Sequence, residues 1–77
     1  MPRQVLEYVA KSLVDDPDAV RVEEEESGRS LVLRLSVATD DVGKVIGRGG
    51  RTARAIRDVV RAAGTKAGVT ALVEIVG

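Results

Sequence analysis

The sequence predicts an α+β fold in which helices pack on one face of a three-stranded mixed sheet. Apolar residues recur at helical spacing in two segments and at period two in three others, and the elements follow in the order α-β-β-α-α-β. A chain of 77 residues is long enough for one core and too short for two. We therefore expect residues 1–77 to form a single domain.

The opening segment, residues 3–14, is predicted to be an amphipathic helix. Its apolar residues fall at helical spacing, with charged residues elsewhere on the wheel. These apolar residues are Val5, Leu6, Val9 and Leu13. Pro17 cannot extend a helical hydrogen-bond ladder and disfavours helix at the residue before it, so residues 15–18 are predicted to form a turn.

A hairpin of two strands is predicted next. Val20 and Val22 alternate with charged residues, and residues 31–37 place three leucines and a valine on one face. Ser27 and Gly28 lie between the two runs, which is typical of a hairpin, and the leucine face is expected to contact the helices. We interpret the acidic run, residues 23–26, as a solvated strand end rather than a cation site.

A short helix and a long helix are predicted to follow, with a glycine-rich loop between them. Thr39–Asp41 offers capping side chains to the short helix, Val42–Ile46. The long helix begins at Arg51, and Gly64 or Gly68 is expected to end it. Its apolar face is predicted to hold Ile56, Val59, Val60 and Ala63, and its opposite face Arg54, Arg57 and Arg61.

The last run, residues 69–76, also alternates, but part of it is apolar on both faces. Strands of this kind are covered on both sides, so we predict that this strand is the more central one. It is reached through two helices, and such a crossover connection indicates a parallel strand pair within a mixed sheet.

Composition excludes several classes of function. The chain has neither Cys nor His, which removes thiol nucleophiles, imidazole bases and almost every transition-metal site. We therefore predict a protein that is not an enzyme and has no cofactor. The sequence shows no charged-then-apolar leader and no apolar run near about 18 residues, so we predict no membrane association and a cytoplasmic location.

The net charge of zero is the sum of two unlike halves. Residues 1–41 carry five basic and ten acidic side chains, a net charge of −5. Residues 42–66 carry seven basic side chains and one acidic, a net charge of +6, and Glu74 completes the balance. This asymmetry predicts a negatively charged partner for the second half.

The tetrad Gly47-Arg48-Gly49-Gly50 lies within that basic half, and three phosphate-binding loops can be compared with it. A Walker loop requires Lys and Ser or Thr after its second glycine, but Lys44 precedes the tetrad. A dinucleotide fingerprint requires a small residue at the place of Thr52 and a strand before the first glycine. A G-x-x-G tetrad between two helices, which clamps about four nucleotides of single-stranded RNA, fits both sequence and context.

The chemistry of this loop follows from its residues. Glycines let sugar and phosphate approach the main chain, and the start of the next helix adds partial positive charge. Bases are expected in an adjacent groove lined by aliphatic side chains, for which Val45, Ile46 and the outward residues of the 31–37 strand are the candidates. A ligand-free turn is the alternative for the tetrad, and a solubilising surface for the arginine face. The predicted RNA-binding residues are Lys44, Val45, Ile46, Gly47, Arg48, Gly49, Gly50, Arg51 and Arg54.

The stretch from Val45 to Arg51 resembles the V-I-G-x-x-G motif of KH domains. The resemblance extends to Asp41–Gly47, the opening helix, the Asp-Pro turn and the strand pair. Nearly all 77 residues therefore resemble the bacterial single-KH family often called KhpA. The resemblance implies a type II KH domain and a cytoplasmic RNA-binding protein or RNA chaperone in post-transcriptional regulation. It also implies a homodimer, or a heterodimer with a larger KH and R3H protein, and a link to cell shape and envelope homeostasis.

The sequence is therefore consistent with two functions. The first is binding of single-stranded RNA by the glycine loop. The alternative is a protein-interaction subunit whose main role is dimerisation with an RNA-binding partner, through exposed apolar residues such as Leu72 or Val76.

Overall fold

The structure, a computed structural model, describes residues 1–76. Single 3₁₀ turns lie at Pro17–Ala19, Thr39–Asp41 and Arg48–Gly50. The α-β-β-α-α-β order is confirmed, and the first helix ends before the predicted turn. The helices are α1 (Pro2–Leu13), α2 (Val42–Ile46) and α3 (Arg51–Lys66), and the strands are β1 (Arg21–Ser27), β2 (Ser30–Ser36) and β3 (Thr70–Val76).

The strands form one mixed sheet in the order β1-β2-β3. Strands β1 and β2 are antiparallel, and Ser27 lies opposite Ser30 across a two-residue connection, Gly28-Arg29. Strands β2 and β3 are parallel, as a crossover through α2 and α3 allows. The predicted hairpin and mixed sheet are therefore confirmed.

The prediction that β3 is the more central strand is wrong, because β2 lies in the middle and β3 at an edge. The inward residues Ala71 and Val73 are buried in the core, whereas the outward residues Leu72 and Val76 are 48% and 41% exposed. Leu72 lies opposite Val32 on the outer face of the sheet. The apolar character of both faces of β3 thus reflects one buried face and one half-exposed face.

The core lies between the inner face of the sheet and the helices. The leucines of β2 form its floor, which confirms the predicted leucine face. Gly64 brings α3 close to β3, because a Cβ at this position would lie 2.8 Å from Ala71 Cβ. Both long helices bury residues three or four positions apart, as helical stripes do. The buried helix residues include Leu6 and Ala10 of α1 and Ala53, Ile56 and Val60 of α3.

Both helices are rotated relative to the faces predicted for them. Leu13 of α1 is 38% exposed and Val59 of α3 is 49% exposed, although both were predicted to face the core. Arg57 is not on the far face of α3, since its Nε donates a hydrogen bond to the Val73 carbonyl oxygen at 3.4 Å. Neighbouring residues are about 100° apart on a helix, so a small rotation moves one residue out of the core and another into it.

Gly68 ends α3, which settles the choice between the two predicted glycines. It adopts a φ of 79°, in the left-handed region that glycine tolerates. Its N–H donates to the Thr65 carbonyl oxygen at 3.1 Å, and the Val69 N–H donates to that of Gly64 at 2.9 Å. These two bonds form a Schellman motif and turn the chain into β3.

The acidic run, residues 23–26, lies on β1 with its side chains exposed. Arg34 of β2 lies 3.0 Å from Glu25 and 3.4 Å from Glu74, so the sheet's outer face carries a three-residue ion network. The pKa of Arg34 is raised, chiefly because its guanidinium donates a hydrogen bond to the Glu25 carboxylate. Among residues 1–76, no three carboxylates are grouped as a metal site requires. The same residues include no helix with the length and apolar character needed to cross a membrane.

Candidate functional site

The loop between α2 and α3 is shaped by three glycines with positive φ. Gly47 has φ 74° and ψ 174°, Gly49 has φ 63° and ψ 18°, and Gly50 has φ 78° and ψ 13°. Residues with a side chain rarely adopt such angles, and the region of Gly47 is essentially restricted to glycine. The doubled glycine of the tetrad therefore meets a backbone requirement, and Arg48 is left as the tetrad's one side chain.

Gly47 is also the most crowded of the three. A Cβ at this position would overlap the Thr52 hydroxyl and lie 2.7 Å from Thr52 Cβ, whereas Gly49 and Gly50 have open space around them. The first turn of α3 thus packs directly against the bare main chain of Gly47. Thr52 was not among the site residues predicted from the sequence. Its position immediately after the G-x-x-G-R segment is the signal that could have identified it.

Three of the predicted site residues form an exposed basic cluster, which we call the loop arginines: Arg48, Arg51 and Arg54. Within residues 1–76, none of them lies within ion-pair distance of a carboxylate. They lie between the turn before α3 and the fourth residue of α3, where the first amides of a helix lack intrahelical acceptors and carry partial positive charge. By contrast, Arg61, two turns further along α3, lies 3.7 Å from Asp58. The loop arginines therefore present uncompensated positive charge beside bare backbone.

Lys44 is placed differently from the loop arginines. Its Nζ lies 3.1 Å from Asp15 Oδ2 and 3.4 Å from Asp41 Oδ1. The pKa of Lys44 is raised, first by its hydrogen bond with Asp15 and then by the charge of Asp15 and the contact with Asp41. The structure thus pairs this predicted phosphate ligand with two carboxylates of the same chain.

Asp41 is the buried member of that network and was predicted only as a helix cap. Its side chain makes no capping hydrogen bond to α2. Instead, Oδ1 accepts from the Asp15 N–H at 3.3 Å and Oδ2 accepts from the Asp16 N–H at 3.1 Å. Burial by itself raises the pKa of Asp41, but the N–H groups of Asp16 and Asp15, followed by Lys44, outweigh burial and lower it. The expected capping role is therefore wrong, because the turn after α1 provides nearer donors.

The two apolar residues predicted for a base-binding groove are separated by the fold. Val45 is completely buried in the core, whereas Ile46 is 39% exposed beside the loop. The outward residues of β2 are on the side of the sheet away from the helices, so they do not share a groove with Ile46. A cavity of about 290 Å³ lies elsewhere, between the start of α1, the hairpin and the end of α3. Ile46 is thus the apolar surface that remains next to Gly47.

Comparison with known proteins identifies the family. The family described as "KhpA/KhpB, KH domain" matches residues 3–75. The chain belongs to the KhpA/KhpB family of KH domains. The type II order of elements, with the additional helix and strand first, agrees with this membership.

Several bacterial relatives cover nearly the same length. The RNA-binding protein KhpA of Clostridium acetobutylicum is 51% identical over 74 residues, which are 96% of this chain and 99% of that protein. KhpA of Halalkalibacterium halodurans is 56% identical over 64 residues, 83% of this chain and 84% of its own. KhpA of Streptomyces coelicolor is 47% identical over 75 residues, which are 97% of this chain and 95% of that protein. These relatives are named as RNA-binding proteins and not as enzymes, in agreement with the prediction that the chain is not an enzyme.

Proposed function

We propose that the chain binds single-stranded RNA at Gly47-Arg48-Gly49-Gly50 and holds the backbone of about four nucleotides. The observation that carries this proposal is the group of loop arginines, which lie at the start of α3 and have no carboxylate partner among the described residues. The name of the relatives, RNA-binding protein KhpA, supports the same ligand.

Each part of the site has a distinct role in this proposal. Gly47, Gly49 and Gly50 let the sugar-phosphate backbone approach the main chain, and the loop arginines neutralise phosphates. Ile46 offers an apolar surface to a base. Contacts to phosphate carry no sequence information directly, so we expect binding that tolerates many sequences.

The wider role rests on family membership. We propose an RNA chaperone that acts in the cytoplasm in post-transcriptional regulation, with a link to cell shape and envelope homeostasis. A homodimer or a heterodimer with a larger KH and R3H protein is proposed as the assembly. The family description, which joins KhpA with KhpB, supports a related partner.

The second candidate function is a protein-interaction subunit, and one observation favours it. Val59, Leu72 and Val76 are all between 41% and 49% exposed, although large apolar side chains are more often buried. Affinity measured on the isolated chain separates the two functions. RNA binding that requires an added partner protein would favour the interaction subunit.

The decisive experiment measures RNA binding as a function of salt. Fluorescence anisotropy with a labelled single-stranded RNA of mixed sequence should give a log-log salt slope of about −2, since three neutralised phosphates contribute about −0.7 each. Replacing Arg48 and Gly49 together by Asp should weaken binding by about a hundredfold or more, because the phosphate site becomes acidic. A slope near zero would contradict the proposal.

The chain contains a matched control for this double substitution. Gly28-Arg29 is also a glycine with positive φ followed by an exposed arginine, and a Cβ at Gly28 would have open space. Replacing Gly28 and Arg29 by Asp makes the same change in charge and composition at a different place. This variant should retain wild-type affinity within about threefold, since the change is remote from the site and screened by salt.

A further inference from the structure

The feature that the proposed function leaves unexplained is the buried carboxylate of Asp41. Among residues 1–76 it is the one charged side chain in the core, with 2% of its surface exposed. A buried charge is costly unless it is paired and hydrogen-bonded, and Asp41 satisfies both conditions. Its partners are the N–H groups of Asp15 and Asp16 and the ammonium group of Lys44.

These contacts connect two distant parts of the chain. Asp15 and Asp16 follow α1, which is anchored in the core by Leu6 and Ala10, while Asp41 immediately precedes α2. The hydrogen bonds span 26 and 25 residues of sequence. Lys44 adds a second link between the same parts, since its Nζ contacts both Asp15 and Asp41. The network therefore fastens the start of α2 to the anchored end of α1.

Helix α2 is too short to hold its position alone. It has five residues, of which Val45 is the buried one, and a helix of this length is not stable in isolation. Gly47 follows directly, and its N–H donates to the Gly43 carbonyl oxygen at 2.9 Å. The orientation of α2 consequently sets the position of the main chain at the first glycine of the loop.

We infer that Asp41 and Lys44 are positioning residues that hold α2 and the glycine loop in place, and that the charge of Lys44 is compensated within the fold rather than by phosphate. This inference rests on the proposed RNA site for its effect on affinity. Its structural part concerns the loop alone and holds or fails independently of RNA.

The first test is hydrogen exchange on the Asp41→Asn variant, followed by NMR without RNA. Asn keeps the shape of Asp but replaces one accepting oxygen by an NH₂ donor, so one of the two N–H groups, that of Asp15 or that of Asp16, loses its acceptor. Amides of residues 43–51 should exchange about tenfold faster, whereas those of β2 should be unchanged. Unchanged loop protection, or an equal increase across the whole domain, would overturn the positioning role.

The matched control is Asp40→Asn. Asp40 is the exposed neighbour of Asp41 and makes no side-chain hydrogen bond within the described residues. The substitution removes the same charge one residue away, and loop exchange should stay at the wild-type rate. If Asp41→Asn does not fold, Lys44→Met and Asp15→Asn remove exposed members of the network and are measured in the same way.

The second test assigns the charge of Lys44 through the salt dependence of RNA binding. The Lys44→Met variant keeps most of the side chain but loses the charge. It should weaken binding several-fold through loosening of the loop, with a slope still near −2, and Lys44→Arg should restore affinity. A slope less steep by about 0.7 would show that Lys44 neutralises a phosphate and overturn this part of the inference. Lys66→Met, at the far end of α3, is the charge-matched control.

The two tests distinguish failure of the proposed function from failure of the positioning role. If the wild-type chain does not bind RNA, the proposed function fails, and the exchange experiment still decides whether Asp41 holds the loop. If RNA binds with the expected slope but exchange in Asp41→Asn is unchanged, the proposed function stands and the positioning role is wrong.

Discussion

Two connections of this chain contain the same dipeptide, Gly-Arg, and only one of them has the features of a binding site. At Gly28-Arg29 the glycine has φ 60° and open space around it, and four glutamates of β1 lie next to the turn. At Gly47-Arg48 the glycine has φ 74°, Thr52 packs against it, and two more arginines follow on α3 with no carboxylate partner within residues 1–76. An exposed arginine beside a flexible glycine is thus not sufficient. The difference lies in the helix start and in the charges around it.

The comparison also separates two uses of glycine. Gly28 is needed for its backbone angle alone, as in two-residue hairpin connections that begin with glycine. Gly47 is needed for its angle and for its missing side chain, because Thr52 occupies the space that a Cβ would fill. The same residue type therefore tolerates substitution to different degrees at the two connections.

The largest expected effect comes from adding one methyl group at each connection. Gly47→Ala should lower the free energy of unfolding by about 3 kcal/mol or more, because backbone strain is combined with overlap on Thr52. Gly28→Ala should cost about 1 kcal/mol, the strain of a left-handed residue in open space. Urea denaturation followed by circular dichroism measures both values. Equal losses of stability in the two variants would mean that Thr52 moves aside for the added methyl group and that the two glycines are equivalent.

A smaller effect is expected from removing one cation at each connection. Arg54→Gln should make the log-log salt slope of RNA binding less steep by about 0.7, since one phosphate contact is lost. Arg29→Gln also removes an exposed charge, in the connection after the acidic strand, and should leave the slope unchanged. Titrations at several salt concentrations measure both slopes. If the two variants had the same slope, the loop arginines would not be the phosphate site.

The smallest effect concerns pH and the residues that hold the loop. The pKa of Asp41 is lowered from its ordinary value of 3.8, so its ionised form stabilises the fold above that value, and this contribution is lost as pH falls through the lowered pKa. Wild type should therefore be more stable than Asp41→Asn near neutral pH, and the difference should shrink below about pH 4. Urea denaturation at pH 7 and pH 3 measures this difference in the free energy of unfolding. A difference that grows on acidification would contradict the lowered pKa.

Much of the fold was predictable because it depends on local pattern. The leucine alternation of β2 predicted both a strand and its inward face, and Pro17 predicted the end of α1. The edge position of β3 was not predictable from its own residues. The outer face of an edge strand and the covered face of a central strand can carry the same valines and leucines. Only the pairing partners show which kind of strand it is.

The candidate site divides in the same way. The glycine tetrad and the basic residues after it were visible in the sequence, because a motif of this kind is defined by residue type and spacing. The contact of Lys44 with Asp15 was not visible, since Asp15 is 29 positions away along the chain. Val45 and Ile46 are neighbours in sequence, yet one is buried and the other exposed, because the rotation of α2 on the core decides which of them meets solvent.

The sequence by itself determined the order of the elements, the glycine loop and the excess of positive charge in residues 42–66, since each follows from residue type and local spacing. Tertiary structure decided which of those charges are free. An ion pair or a backbone hydrogen bond forms only within a few ångströms, and the fold brings Lys44 within that distance of Asp15 and Asp41 and Arg57 within it of Val73. The fold brings no carboxylate among the described residues within ion-pair distance of the loop arginines, so their charge is left uncompensated.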